Sequence, residues 1–568
     1  MGRFAAASHS LSKNNPALSM LPTLPDPFYY LENFQRVLDW IGQRYSDLLS
    51  DEERSFIEQF PRLPQSSRAL LVRMVMRKGE VFRSGKLAYA EIACPDAAAR
   101  PLLELDWLRH NPPLSVAQLF ALLRKAELVQ AFRISAAGSA ARKGDLQEKL
   151  QHAFPEARTL EQWAPDITES IYEVHVTAIC ERLRLMFFGN LYQDWSEFVL
   201  SDLGIYRYEQ VEFSESSRGF RSRQDIDDYL HLQRCRERFD DGNYLDEIVP
   251  DIPTTPYANP WMEGRRNKLL FRFAQEYERC QELDSALKLY RQCSYAGARS
   301  RTIRVLEKND AVGEALELAE AALSRPESEA EHQAVLRMLP RLRRKLGHAK
   351  LAPGKAPVIE AEDLSLPYPA TALSVEQMVQ AHLSRCEAPV FYVENTLINS
   401  LFGLLCWPAI FAALPGAFFH PFHQGPVDLH SADFVQKRQD IFNQCLARLD
   451  DDSYRQTIVD TFAAKAGIQS PFVFWGTIDE VLLKLALHCI PAAHLKKYFA
   501  RILRDIPANR SGLPDLIQFW PQEQRYRMLE VKGPGDRLQD NQIRWINYCI
   551  EHQMPVAVTY VQWTEQAA

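Results

Sequence analysis

Asp515, Glu530 and Lys532 are the residues of this chain whose types and spacing are best suited to chemistry. Gly512-Leu-Pro514-Asp515-Leu-Ile is followed, after a short polar interval, by Leu529-Glu530-Val531-Lys532-Gly533-Pro534. Asp515 to Trp520 is rich in apolar and aromatic residues and is predicted to be a strand. Pro521 to Gln524 supplies a turn, and Arg525 to Lys532 is predicted to return antiparallel. Side chains alternate along a strand, so Glu530 and Lys532 share one face while Leu529 and Val531 enter a core on the other. The hairpin brings Asp515 beside Glu530 near its open end. Two carboxylates that close repel each other unless a cation lies between them. Oxygen ligands without His or Cys favour Mg²⁺ or Mn²⁺ over zinc. The Lys532 ammonium would then orient an attacking water and favour its deprotonated form, while the cation polarises a scissile phosphate. The chemistry implied is metal-dependent phosphodiester cleavage.

A third carboxylate lies upstream. Leu397, Ile398, Leu401 and Leu405 recur at helical spacing, predicting a helix whose apolar stripe is headed by Glu394. A carboxylate there must find a partner, because burying it unpaired is costly. The uncharged run from Leu401 to Phe419 covers 19 residues, close to the roughly 20 that cross a bilayer. Pro408 and Pro415 interrupt it, so a buried core helix and a turn are expected instead, and no membrane span.

Pro514-Asp515 followed by Glu530-Val-Lys532 resembles the PD-(D/E)xK nuclease signature. The run Glu530-Val-Lys-Gly-Pro-Gly-Asp-Arg537-Leu-Gln-Asp-Asn-Gln542 resembles the VRR-NUC branch, and within it the Fanconi-associated nuclease family. Members continue with Gly-Pro-Asn-Asp-Arg-Leu and a helix bearing a Gln; Gly535 replaces that Asn, and Gln542 matches the Gln. Val393-Glu394 through Trp407 is similar to the family's Glu-x₆-Leu-aromatic-Gly-Leu-Leu-x-Trp helix. The resemblance implies that Glu394, Asp515 and Glu530 hold one or two divalent ions, helped by the Val531 carbonyl, and that Lys532 positions the water. Arg537 and Gln542 would meet the nucleic acid. It further implies a structure-selective 5′-flap endonuclease with 5′-to-3′ exonuclease activity on branched or flapped double-stranded DNA, with a role in interstrand-crosslink repair. Vertebrate members place a basic residue where Asn541 stands, one departure of this chain. Rival readings are a Holliday-junction-resolvase-like or restriction-type nuclease, and a non-catalytic DNA-binding scaffold. The intact Asp515, Glu530 and Lys532 argue against the scaffold.

The rest of the chain must position these groups. With 568 residues, 46% hydrophobic and 24% charged, the composition is that of a soluble protein of three or four domains. A net charge of −7 means that any positive potential for DNA is local. Residues 501 to 545 carry eight Lys/Arg against six acids. Ten cysteines are scattered singly with no CxxC pair, so neither a zinc finger nor a disulfide framework is indicated. Eukaryotic members of the family carry an N-terminal ubiquitin-binding zinc finger; its absence here implies a bacterial form, cytoplasmic and nucleoid-associated. No signal peptide is expected.

The expected fold is multidomain and mainly α, with a C-terminal α/β PD-(D/E)xK nuclease domain. Residues 1–27 read as a disordered N-terminus or an expression scar. Residues 28–111 form a helical DNA-binding region, in which Leu31, Phe34, Val37, Leu38 and Ile41 mark one helix and Arg73, Arg77 and Lys78 could contact a DNA backbone. Residues 112–160 look like a SAP module, a helix and small-residue loop followed by a second helix, with Arg142 and Lys143 set against duplex phosphates. In residues 161–350, Asp284-Ser-Ala286-Leu287-Lys-Leu289-Tyr290 recurs as Gly313-Glu-Ala315-Leu316-Glu-Leu318-Ala319, an offset of 29, as in TPR-like hairpins. Its basic residues, Arg299, Arg301, Arg304, Arg341, Arg343, Arg344 and Lys345, would continue a DNA track. Residues 351–372 read as a linker and 373–568 as the VRR-NUC nuclease domain. His420-Pro-Phe-His423 has zinc-like spacing, but polar histidines near a turn are the expectation there and at His430. Oligomeric state is not legible.

Overall fold

The computed structural model describes residues 26–134, 142–195, 197–198, 201, 206–213, 218–349, 358–368, 373–431 and 433–564. The readings made for residues 1–25 and for the small-residue loop at 135–141 lie outside this set. The protein is mainly helical, with a small mixed sheet near the C-terminus, and divides into two units, Met1–Arg207 and Tyr208–Ala568.

In the first unit the helix Tyr29–Arg44 buries Leu31, Phe34, Val37, Leu38 and Ile41, the stripe its spacing predicts. Arg73 does not face solvent as a DNA contact. Its guanidinium lies 3.9 Å from the Tyr30 ring centroid and 2.6 Å from Glu91, a cation–π and ion-pair clamp within the unit. A second cluster, with Leu119, Leu123, Leu128, Leu146 and Trp163, forms the core beneath the SAP-like helices. There Arg142 is the exposed residue before the helix Lys143–Ala153, while the Lys143 ammonium donates to the Leu123 carbonyl at 2.9 Å. Strands β1 (Val81–Arg83), β2 (Leu108–His110) and β3 (Ile171–Val174) form an antiparallel sheet with β3 in the middle. The central strand ties the segment after residue 160 to this unit, so the helical-repeat region expected from 161 begins later. The buried Arg83 meets Glu127 at 2.8 Å and Glu169 at 2.7 Å, joining three parts of the unit.

In the second unit the helices Pro260–Arg279, Leu283–Arg291, Ala298–Lys308, Val312–Ser324 and Glu329–Lys345 pack each against the next. Ala286 and Ala315, the small residues of the sequence repeat, are fully buried, which permits close helix approach. Of the seven basic residues expected to continue a DNA track, six are engaged within the unit and Arg344 is exposed. Glu278, 5% exposed on its side chain, receives Arg301, Arg304 and Lys308, while Glu307 receives Arg341 and Lys345. Arg299 bridges to Glu331 and Arg343 to Glu320. These cations bind helices to one another, and the buried carboxylates of Glu278, Glu307 and Glu331 would be costly without them.

The C-terminal sheet has strand order β4-β8-β7-β6-β5: β4 (Ala361–Pro367), β5 (Val390–Tyr392), β6 (Leu516–Trp520), β7 (Arg525–Lys532) and β8 (Val556–Thr564). β5, β6 and β7 run antiparallel, while β8 lies parallel to β7 and β4. Alternation divides β7 cleanly. Leu529 and Val531 enter a small core with Val379, Val390, Leu516 and Ala557. Tyr526 and Met528 pack on the large helical core with Leu401, Phe499 and Trp545. Every residue of the helix Leu397–Leu405 is buried. The apolar run continues into the short helix Trp407–Ile410 and a turn, and among the described residues no helix is long and apolar enough to cross a membrane.

Candidate active site

The β6–β7 register decides the geometry. Leu516 pairs with Leu529, so Asp515, one residue before β6, stands across from Glu530 on the same face. One Asp515 oxygen accepts the Val531 N–H at 2.8 Å, which fixes the carboxylate against β7. Glu530 is 0% exposed and Asp515 6%. Lys532, two residues along β7, places its ammonium 2.7 Å from a Glu530 oxygen. That contact is a close ion pair, and the second Glu530 oxygen is buried with no hydrogen-bond partner.

An arrangement of this kind is unfavourable for free carboxylates. Burial pushes Glu530 up to about 8, the nearby Asp515 and Glu394 charges push the same way, and Lys532 opposes them. Burial likewise raises Asp515 to about 6, helped by Glu394 and Glu376 and opposed by the Val531 N–H and Lys532. Burial also disfavours the Lys532 charge, but the Glu530, Asp515 and Asp536 carboxylates outweigh it and raise its pKa. Two buried acids held near each other, one of them with an oxygen that has no hydrogen-bond partner, fit a divalent cation and its charge.

Glu394 is near the pair but is placed differently from the sequence expectation. It lies in the turn before the helix Leu397–Leu405, not on its apolar stripe, because Asn395 adopts a left-handed φ of 53° that no helix continues through. Its two oxygens accept from the Tyr392 hydroxyl at 2.6 Å and the Asn395 amide at 3.2 Å. Among the described residues, no three His, Cys, Asp or Glu side chains already stand at one ion's ligating geometry. Tyr392, Asn395 and Glu376 carried no signal in the sequence reading, since their relation to the site comes only from packing.

The approach to Asp515 is equally constrained. Gly512 has φ 91°, and a Cβ there would meet the Asn541 backbone at 2.6 Å. Gly512 therefore sits directly on the first turn of the helix Asp540–Glu551. Gly535, where the resembled family has Asn, has φ 85°, a conformation both residues tolerate. Gln542 uses its side-chain oxygen to accept the Gln539 N–H at 2.8 Å, capping that helix while its amide N–H groups remain donors for other partners. Arg537 is exposed in the loop between β7 and the helix. Of the other cations from 501 to 545, Arg501 and Arg504 meet Glu329, Arg525 meets Glu523, Arg527 meets Glu360 and Glu362, and Arg544 donates to Gln333. Most of the local positive excess is thus tied up within the unit. The histidines hold no metal arrangement: His420 Nδ1 accepts the Phe422 N–H, His423 Nε2 accepts the Phe419 N–H, and burial keeps His423 neutral.

Comparison with known proteins bears on what this site belongs to. Family models match at residues 28–109 (FAN1, HTH domain), 113–163 (Fanconi anemia-associated nuclease SAP domain) and 449–563 (VRR-NUC domain). The Fanconi-associated nuclease 1 homolog of Pseudomonas aeruginosa is 59% identical over 542 residues, covering 95% of this chain and 97% of the relative. The chain belongs to the Fanconi-associated nuclease 1 family. The Arabidopsis thaliana homolog is 22% identical over 603 residues, covering 95% of this chain and 67% of its own length. The crystal structure of paFAN1 bound to 2-nt 5′-flap DNA with a gap is similar at a TM-score of 0.93 and 59% identity, covering 96% of this chain and all of that one. Its counterpart with a 1-nt 5′ flap gives 0.90. The VRR-NUC match spans Asp515, Glu530 and Lys532, and ends before Thr564, the last residue of β8. In this family the domain is a nuclease, and its work depends on a divalent metal.

Proposed function

We propose that this chain is a divalent-metal-dependent, structure-selective DNA nuclease that cuts 5′-flap substrates, degrades 5′-to-3′, and acts in DNA repair, including that of interstrand crosslinks. The observation that carries the reading is Glu530: a fully buried carboxylate with the Lys532 ammonium on one oxygen and no hydrogen-bond partner on the other, beside Asp515 in a VRR-NUC domain. The similar crystal structures of paFAN1 bound to 5′-flap DNA support the substrate class.

Asp515 and Glu530, with the Val531 carbonyl and Glu394, would hold Mg²⁺ or Mn²⁺. When bound, such an ion supplies positive charge to polarise a phosphodiester and to lower the pKa of a water. The protein residues do the rest. The Val531 N–H fixes the Asp515 oxygen that it holds, leaving the other oxygen for ligation. Lys532 sits at the edge of the pair, where its ammonium orients the attacking water and steadies the charge that develops on it. Glu530 cannot ligate while protonated, so the site loads more readily as pH rises toward about 8. In this reading the exposed Arg537 and Arg142 would meet phosphates, and Lys143 and Gln542 would add the N–H donors they keep beyond their internal contacts.

Digestion of a 5′-flap duplex in Mg²⁺ or Mn²⁺, with wild type and Asp515→Ala, tests the assignment. The variant should bind the flap without cutting it. Unchanged cutting would remove Asp515 from the site. Parallel four-way-junction substrates separate flap cutting from junction resolution.

A further inference from the structure

Glu394 is reached through a small network that neither the nuclease motif nor the family match assigns. Tyr392 ends β5, the edge strand of the sheet, and pairs with Leu516. Although 44% exposed, it aims its hydroxyl at one Glu394 oxygen, 2.6 Å away. Asn395 donates its amide to the other oxygen at 3.2 Å, while its own side-chain oxygen accepts the Leu513 N–H at 3.0 Å. Leu513 lies two residues before Asp515. The Val393 N–H donates to the Asp515 carbonyl at 2.8 Å, and Asn399 joins the Asn395 carbonyl at 2.7 Å to that of Arg510 at 2.9 Å. The turn that carries Glu394 is thereby stitched to the loop that carries Asp515.

We infer that Tyr392 and Asn395 are positioning residues: they hold the Glu394 carboxylate ready as a cation ligand and set its distance from Asp515. This rests on the reading of Glu394 as a ligand. An ionised carboxylate offers about four acceptor sites. Tyr392 and Asn395 occupy one on each oxygen, so each oxygen keeps one for a cation. A Glu side chain left unrestrained would lose rotamer freedom on ligation; here that loss is taken during folding. The left-handed backbone of Asn395, a conformation Asn tolerates better than most residues, turns its amide back onto its neighbour.

The test compares full-length Tyr392→Phe, Asn395→Gly, the double variant and Glu394→Gln. Glycine accepts φ 53°, so Asn395→Gly removes both side-chain hydrogen bonds without backbone strain. Mn²⁺ binding to the metal-free protein is measured by calorimetry, and cleavage of a 5′-flap duplex is followed against Mn²⁺ concentration. Each single variant should need about tenfold more Mn²⁺, the usual scale for losing an outer partner of a metal ligand. The double variant should approach Glu394→Gln, and excess Mn²⁺ should restore most of the rate in the single variants. If Glu394→Gln weakens Mn²⁺ binding while Tyr392→Phe and Asn395→Gly do not, the positioning role is overturned and the ligand reading stands. A rate loss in the single variants that saturating Mn²⁺ leaves in place also overturns it. If Glu394→Gln itself leaves Mn²⁺ binding unchanged, the ligand reading fails and this inference with it.

Discussion

Glu530→Gln should stabilise the metal-free protein while abolishing its response to metal. The side chain is 0% exposed, and in the absence of a cation its charge faces Asp515, with the Lys532 ammonium on one oxygen and no hydrogen-bond donor on the other. Moving a carboxyl from its ordinary 4.5 to about 8 corresponds to a ceiling of about 5 kcal/mol, at about 1.4 kcal/mol per tenfold. The amide that replaces it has polar atoms of its own to bury, at about 1–3 kcal/mol. Lys532 loses one ion pair but keeps the attraction of Asp515 and Asp536. A net gain of about 2 kcal/mol above pH 8 is expected, or roughly 2–6 °C in a unit of this size. The sign follows from linkage. The folded wild type retains a proton that the unfolded chain releases above about 4.5, so its stability is full below that and declines as pH rises to about 8. Asp515 adds a decline of the same sign that ends near 6. Thermal unfolding in chelator at pH 5, 7 and 8.5 reads this directly: the wild type should lose stability across the series and the variant less. Added Mn²⁺ should then raise the melting temperature of the wild type at pH 8.5 and leave the variant unmoved. A variant no more stable than wild type at pH 8.5 in chelator, or one that Mn²⁺ stabilises equally, would refute the reasoning.

Other expectations can be checked on the same protein. Lys532→Met should slow flap cleavage about 10²–10⁴-fold with flap binding retained, measured by single-turnover kinetics and electrophoretic shift. Gly512→Ala forces both an unfavourable φ and a contact with the Asn541 backbone, so urea unfolding should show about 2 kcal/mol or more of lost stability. Glu329→Ala leaves Arg501, 7% exposed and stacked on Trp545 and Tyr548, without its carboxylate, and should cost about 3 kcal/mol by the same measurement.

The hairpin was legible because it rests on short-range rules. Alternation along Arg525–Lys532 and an antiparallel return put Asp515, Glu530 and Lys532 on one face, and the structure pairs the strands in that register. Glu394 was legible as a residue but not in its setting. Its spacing to Leu397 and Leu401 mimics a helical stripe, yet the backbone reverses at Asn395, and the choice of a left-handed residue is made by contacts with Leu513 far along the chain. Basic residues misled for a related reason. Arg301, Arg304 and Arg341 look available to DNA in a linear reading, but the carboxylates that receive them, Glu278 and Glu307, lie on other helices. Charge composition records how many cations exist; only packing records which remain uncommitted. The segment after residue 160 shows the same limit, since β3 joins β1 across some ninety residues that carry no pairing signal.

The central claim is that Asp515 and Glu530 share a divalent cation. Diffraction from crystals soaked in Mn²⁺, collected at the manganese absorption edge, tests it most directly. An anomalous peak between the Asp515 and Glu530 carboxylates, absent from Asp515→Ala crystals soaked in the same way, is the expected result. Flat density there at saturating Mn²⁺ and alkaline pH, in crystals of protein that cuts flaps, would contradict it.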